Sequence, residues 1–235
     1  MLQPADPAWR SALAPPPFGD ALEVHVWRAC VSELPADTTW LSRWGKRSTH
    51  APKRVLRAKM TARCLVDSVL QKYIGGTADE LEFSREKNGR PYIAGAKLDF
   101  NLSHSGDWAL LAVSAGTRVG VDIEQVREDR DFRAIACRYF SASEAKMICD
   151  SDNEFLARAR FYALWTAKEA ALKAVGTGIA GGLAETSLED GQHIRLPDGA
   201  TMRYLALTVD LGYPGALAVD SMHDLQVRFY HLRHR

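Results

Sequence analysis

The sequence predicts an α+β protein built as two similar halves. Two long stretches carry helical periodicity, one opening at Pro52 and running to Gly75-Gly76, the other from about Asn153 to Val175. Each is followed by several runs in which apolar residues alternate, the pattern of strands. Composition agrees: 235 residues, 46% hydrophobic and 25% charged, suit a globular chain of one large domain or two of roughly 100–130 residues. The changeover falls near Arg118, giving halves of 21–118 and 119–235 behind a leader of 1–20. No fixed-length repeat relates them.

The elements follow in order. Residues 1–20 are rich in proline and read as an extended arm or disordered leader. Leu22–Ala29 (LEVHVWRA) alternates in period two, as a half-buried strand would. Pro52 suits the first turn of a helix, and the two glycines stop it. Between Glu82 and Ile93, Asn88-Gly89 signals a tight turn joining two short extended pieces. Phe100–Ser114 reads as strand, turn at Ser105-Gly106-Asp107, and strand, with Val119–Val126 the next. Phe132–Tyr139 and Ser141–Cys149 look helical, the second opening on the capping box Ser141-x-x-Glu144. Gly176 and Gly178 end the second long helix. Met202–Val209, Gly215–Val219 and Leu225–Leu232 alternate again and are expected to form the second half's sheet.

Several classes are disfavoured. Thirty Lys and Arg against twenty-nine Asp and Glu leave a net charge of +1, so global charge gives no steering toward a polyanion. No apolar stretch reaches the ~18 residues of a membrane-spanning helix, and the start is not a secretory signal. The four cysteines form no CxxC pair and have no metal-ligand spacing, so a cytoplasmic, reduced protein is the expectation.

Four segments hold chemistry. In Gly120–Val126 (GVDIEQV), Asp122 and Glu124 share one strand face, where two carboxylates can serve a hard cation or simply form a solvated acidic face. In Phe161–Gly178, Glu169 and Lys173 lie one helical turn apart beside an aromatic stripe with Tyr162 and Trp165. A surface pair is the plain reading; a carboxylate in such surroundings otherwise needs a metal or Lys173 as partner. Leu41–Val66 gathers Arg43, Lys46, Arg47, Lys53, Arg54, Arg57, Lys59 and Arg63 without an acid. A multi-phosphate ligand complements that stretch; nucleic acid would also fit, but aromatic interleaving is sparse and no nucleic-acid-binding signature is present. Asn101–Gly106 (NLSHSG) suits an anion-binding loop.

Five blocks occur in order: Asn88–Tyr92 (NGRPY), Phe100–Ser114 (FNLSHSGDWALLAVS), Gly120–Glu124 (GVDIE), Phe140–Glu144 (FSASE) and Trp165–Gly178 (WTAKEAALKAVGTG). Together they resemble the signature of the surfactin-synthetase-type 4′-phosphopantetheinyl transferases. The resemblance implies a pseudo-twofold monomer, each half a long helix packed on a small sheet, with coenzyme A in the cleft between. It implies transfer of the 4′-phosphopantetheine arm to a serine of an apo acyl or peptidyl carrier protein, releasing adenosine 3′,5′-bisphosphate. Asp122, Glu124 and Glu169 match the family's magnesium-binding carboxylates, with manganese as a substitute. Glu169 also matches the base, and Lys173 the lysine beside the pyrophosphate. Ser103 and His104 match contacts to coenzyme A phosphates, with Asp122 and Lys173 also at the coenzyme. Arg90, and less closely Arg85, match basic residues near the nucleotide, while Arg43 and Lys46 fall where the 3′-phosphate is gripped. A coenzyme A or nucleotide-phosphate binder without transfer activity is the alternative, with no nucleic acid or membrane as partner in either case.

Overall fold

The computed structural model describes residues 7–19, 22–33, 53–75, 82–178 and 182–233. Among these, two five-stranded sheets face each other and a long helix covers the outer side of each. The first sheet runs in the order β1 (Arg10–Ala12), β12 (Gln226–Leu232), β2 (Glu23–Cys30), β6 (Trp108–Ser114), β5 (Asp99–Ser105). The second runs β7 (Val119–Ile123), β11 (Tyr213–Val219), β10 (Thr201–Asp210), β9 (His193–Arg195), β8 (Ser187–Leu188). Helix α1 (Lys53–Ile74) lies on the first and α4 (Glu154–Val175) on the second, with α2 (Phe132–Tyr139) and α3 (Ala142–Cys149) packed against α4. The hairpin β3 (Phe83–Arg85) and β4 (Pro91–Ile93) closes over Asn88-Gly89, where Gly89 has the positive φ such a turn needs.

Apolar patterning explains the layers. On β2, Trp27 and Ala29 face α1 with Leu65, Leu70 and Leu111, while Val24 and Val26 face the second sheet with Val121, Ile123 and Leu217. The strand is therefore buried on both faces rather than the one its alternation suggests, because both sides are covered by other elements. On the far side, Phe161, Tyr162, Trp165 and Leu172 of α4 pack over Ala216 and Ala218. Trp165 is core, as its helical stripe implies.

The helix ends are read correctly from sequence. Asn153 caps α4 by accepting from Leu156 N, and Gly176 ends it at φ +84°. Ser141 and Glu144 form the complete capping box of α3.

Within the stretch read as an extended arm or disordered leader, residues 10–12 are extended, forming β1 in parallel pairing with β12. One expectation needs correction. β12, expected in the second sheet, instead pairs in parallel with β2, Val227 opposite Val24. The last strand thus crosses back over the 118/119 boundary.

Gly120 fixes how closely α4 approaches β7. A Cβ built there would overlap the carbonyl oxygen of Ala170 and lie 2.6 Å from Ala174 N, both helix backbone that cannot swing aside. Gly120→Ala should therefore destabilise the fold by about 3 kcal/mol, at the upper end for overpacking, which lowers the melting temperature by roughly 6–12 °C in a protein of this size. A thermal melt within 2 °C of the unsubstituted protein would contradict this close approach.

Candidate active site

The site lies where β5, the edge of the first sheet, meets β7, the edge of the second. Among the described residues β7 pairs only with β11, so on its other edge its backbone N–H groups need acceptors. Side chains of β5 provide them in register: Asp99 Oδ1 accepts from Val119 N at 3.0 Å and Asn101 Oδ1 from Val121 N at 2.9 Å. The next alternate positions reach carboxylates. Ser103 Oγ donates to Asp122 Oδ1 at 2.9 Å and Ser105 Oγ to Glu124 Oε2 at 3.1 Å. The two acids thus face β5 across the junction, not open water.

Helix α4 completes the cluster. Lys173 Nζ sits 2.6 Å from Asp122 Oδ1 and 3.0 Å from Ser103 Oγ. Glu169, one turn earlier, is 6% exposed. Burial first, then the charge of Asp122, pushes its carboxyl up to about 7 despite the opposing Lys173. Glu124 is raised as well, by burial and then by Asp122. Three acids face two cations, Lys173 at Asp122 and Arg130 at Glu124, so with all of them ionised one negative charge is left in excess.

That excess suits a cation. Asp122 Oδ2 and Glu169 Oε1 are buried without a hydrogen-bond partner, a costly state that an oxygen-seeking cation relieves. Among the described residues no three such side chains are gathered into a ready-made metal centre. Carboxylate oxygens are the donors that a hard divalent ion takes, and Asp122, Glu124 and Glu169 are the residues here that could offer them.

Comparison with known proteins agrees with the geometry. Residues 118–212 match the 4′-phosphopantetheinyl transferase superfamily, and 27–116 match the N-terminal region of a 4′-phosphopantetheinyl transferase. The 4′-phosphopantetheinyl transferase HetI of Nostoc sp. is 30% identical over 225 residues, 89% of this chain and 92% of its own length. The chain belongs to the 4′-phosphopantetheinyl transferase superfamily. It is also similar to the 4′-phosphopantetheinyl transferase Sfp of Bacillus subtilis, 33% identical over 165 residues, covering 68% of this chain and 71% of that one. The 4′-phosphopantetheinyl transferase AcpT of Salmonella typhimurium is 38% identical over 130 residues, 54% and 63% of the two chains.

Not every residue singled out in this transferase-family chain reaches the cluster. Ser103, Asp122, Glu124, Glu169 and Lys173 come together. His104 is exposed, and by strand alternation it takes the opposite face of β5 from Ser103. Arg85 is exposed on β3 and donates to Gly89 O at 2.8 Å. Arg43 and Lys46 lie outside the described residues.

Arg90, expected near the nucleotide, is tied into the fold. It is buried, with its guanidinium bidentate to Asp99 and donating to the carbonyls of Phe100, Val119 and Lys173. Asn88 of the same turn donates to Val175 O, and Arg118 to Ala174 O. The NGR turn is thus the cap on the C-terminus of α4, where unpaired carbonyls and the negative dipole end want donors and cations.

Three contributors were missed. Ser105 was within reach of the period-two rule, being two residues from Ser103. Arg130 lies 3.4 Å from Glu124 Oε2 and 5.4 Å from the centre of the Trp165 ring, a long-range pairing that no spacing announces. Lys168, fully buried, reaches Glu144 at 2.5 Å and Leu183 O at 2.9 Å, tying α4 to the first turn of α3.

Glu169 gives a stability signature. It ionises near 4.5 when unfolded and at about 7 when folded, so folding favours the protonated form. Its contribution is complete below pH 4.5 and lost as pH rises through about 7. Chelator-treated Glu169→Gln should melt above the unsubstituted protein at about pH 8 and level with it near pH 4.5. Equal melting temperatures across that range would refute the strained carboxylate.

Proposed function

We propose that the protein transfers the 4′-phosphopantetheine arm of coenzyme A to a serine hydroxyl of an apo acyl or peptidyl carrier protein, releasing adenosine 3′,5′-bisphosphate. The observation that carries this reading is the buried Asp122–Lys173–Glu169 cluster in a chain of this family. A serine hydroxyl is a weak nucleophile until a base takes its proton. Glu169, raised to about 7, is poised to accept a proton near neutral pH. Asp122, Glu124 and Glu169 would hold magnesium, or manganese in its place, whose role is to neutralise and orient the pyrophosphate. Lys173 brings a positive charge to the same spot, against the charge that develops as the phosphoanhydride breaks. Ser103, bonded to both Asp122 and Lys173, holds the two in register. A cytoplasmic monomer acting in fatty-acid, polyketide or nonribosomal-peptide assembly completes the proposal. The direct test is the intact mass of a candidate apo-carrier protein after incubation with coenzyme A and magnesium. A gain of one phosphopantetheine arm is expected, and an unchanged mass across carriers of all three classes would defeat the reading.

Glu169→Gln separates a transferase from a mere binder. It keeps the shape but cannot take the serine proton, so transfer should fall by about 10²–10⁴-fold while coenzyme A still binds. Initial rates within twofold of the unsubstituted protein would remove Glu169 as the base.

The basic segment is proposed to grip the 3′-phosphate through Arg43 and Lys46. Replacing either with Ala should weaken coenzyme A by about 1.5–3 kcal/mol, the worth of a charge-assisted contact, and leave 3′-dephospho-coenzyme A nearly unaffected. Equal weakening of both ligands in a titration would assign the 3′-phosphate to other residues.

A further inference from the structure

Four free cysteines are spread over the fold, and two of them meet. Cys137 on α2 and Cys149 at the end of α3 bring their sulfurs within 3.2 Å. Cys30 and Cys64 instead sit beside Ser32 and Ser68, on β2 and α1.

The approach of the two sulfurs is built by the helix pair. Arg133, one turn before Cys137, donates to the carbonyls of Ile148 at 2.9 Å, Cys149 at 2.6 Å and Ser151 at 3.1 Å, and pairs with Glu154 at 3.0 Å. One guanidinium of α2 thus grips the C-terminal end of α3 and sets Cys149 opposite Cys137. Cys137 is exposed and Cys149 half-buried, so one thiol is open to solvent and the other waits beside it. Neither contributes to the transferase cluster.

We propose that Cys137 and Cys149 form a redox-responsive dithiol that closes to an intramolecular disulfide under a peroxide, stapling α2 to α3. The exposed Cys137 sulfur attacks one peroxide oxygen, the O–O bond breaks, and Cys137 becomes a sulfenic acid as one water leaves. Cys149 sulfur then attacks the Cys137 sulfur, the S–O bond breaks, and a second water leaves with the Cys149 proton. Two thiols have lost two electrons and two protons, and one peroxide has become two waters. A dithiol reductant reverses the bond. The staple lies one helix from the catalytic cluster, because Glu144 in the first turn of α3 holds Lys168, the neighbour of Glu169.

The test treats the full chain with hydrogen peroxide at a few equivalents, alkylates the remaining thiols after denaturation, and maps peptides by mass. Expected is one peptide pair joined through Cys137 and Cys149, two hydrogens lighter and released by dithiothreitol, with Cys30 and Cys64 alkylated. Cys137→Ser and, separately, Cys149→Ser should yield no linked peptide while keeping the reduced protein's transfer rate. The proposal is overturned if both thiols remain alkylated like Cys30, or if each is oxidised separately to sulfinic acid. It is equally overturned if the disulfide joins two chains instead of two helices.

Discussion

The exposed backbone edge of β7 is the constraint on which the site depends. Among the described residues β7, buried on both faces, has a strand partner on only one edge. Its outward N–H groups would otherwise be orphaned at about 1–3 kcal/mol each. The chain solves this with side chains from the first sheet, Asp99 and Asn101 at successive alternate positions of β5. Because strand side chains repeat every second residue, the same face continues to Ser103 and Ser105. The device that joins the sheets therefore also delivers two hydroxyls to Asp122 and Glu124. Arg90 locks the seam from the other end, holding Asp99 bidentately while reaching Lys173 O on α4. One guanidinium sets strand edge, neighbouring sheet and helix end in a common frame.

That frame makes an electrostatically costly pocket tolerable. Burial first, and then the charge of Asp122, makes Glu169 hold its proton up to about 7. A fold selected for stability alone would relax the cluster outward. Here Gly120 lets the helix sit directly on the strand, and the caps on α4 from Asn88, Arg90 and Arg118 keep its last turn from retreating. Rigid neighbours hold charged groups in an arrangement that stability alone does not favour.

How much of this was legible in the sequence follows the range of each interaction. Helix limits, the capping box of α3, the Asn88-Gly89 turn and the shared face of Asp122 and Glu124 depend on a few neighbouring residues, and all were readable. Asp122, Glu169 and Lys173 could be gathered only through the family resemblance, since 47 or more residues separate strand from helix. The parallel pairing of β12 with β2 joins residues some two hundred positions apart, and period-two alternation does not say which sheet a strand enters. The contacts of Arg90 were hidden for a related reason, because the helix end that it caps lies more than eighty residues further along the chain. Cys137 and Cys149 lack any motif spacing because two separate helices, not a loop, bring them together.

The return of β12 determines what kind of unit the two halves make. β12 lies between β1 and β2, so the first sheet includes both a strand from the chain's start and one from its end. Remove β12 and β2 loses a full edge of hydrogen bonds, while β1 loses its partner altogether. The apolar layer between the sheets draws Val24, Val26 and Leu110 from one side and Val121, Leu207 and Leu217 from the other. Neither half can bury that face alone, and neither carries the whole cluster: Ser103 and Ser105 come from one, the acids and Lys173 from the other. The similarity of the halves is a similarity of layering, helix on sheet, rather than of independence. The geometry of the cluster at the seam is therefore inseparable from the cooperative stability of the two halves together.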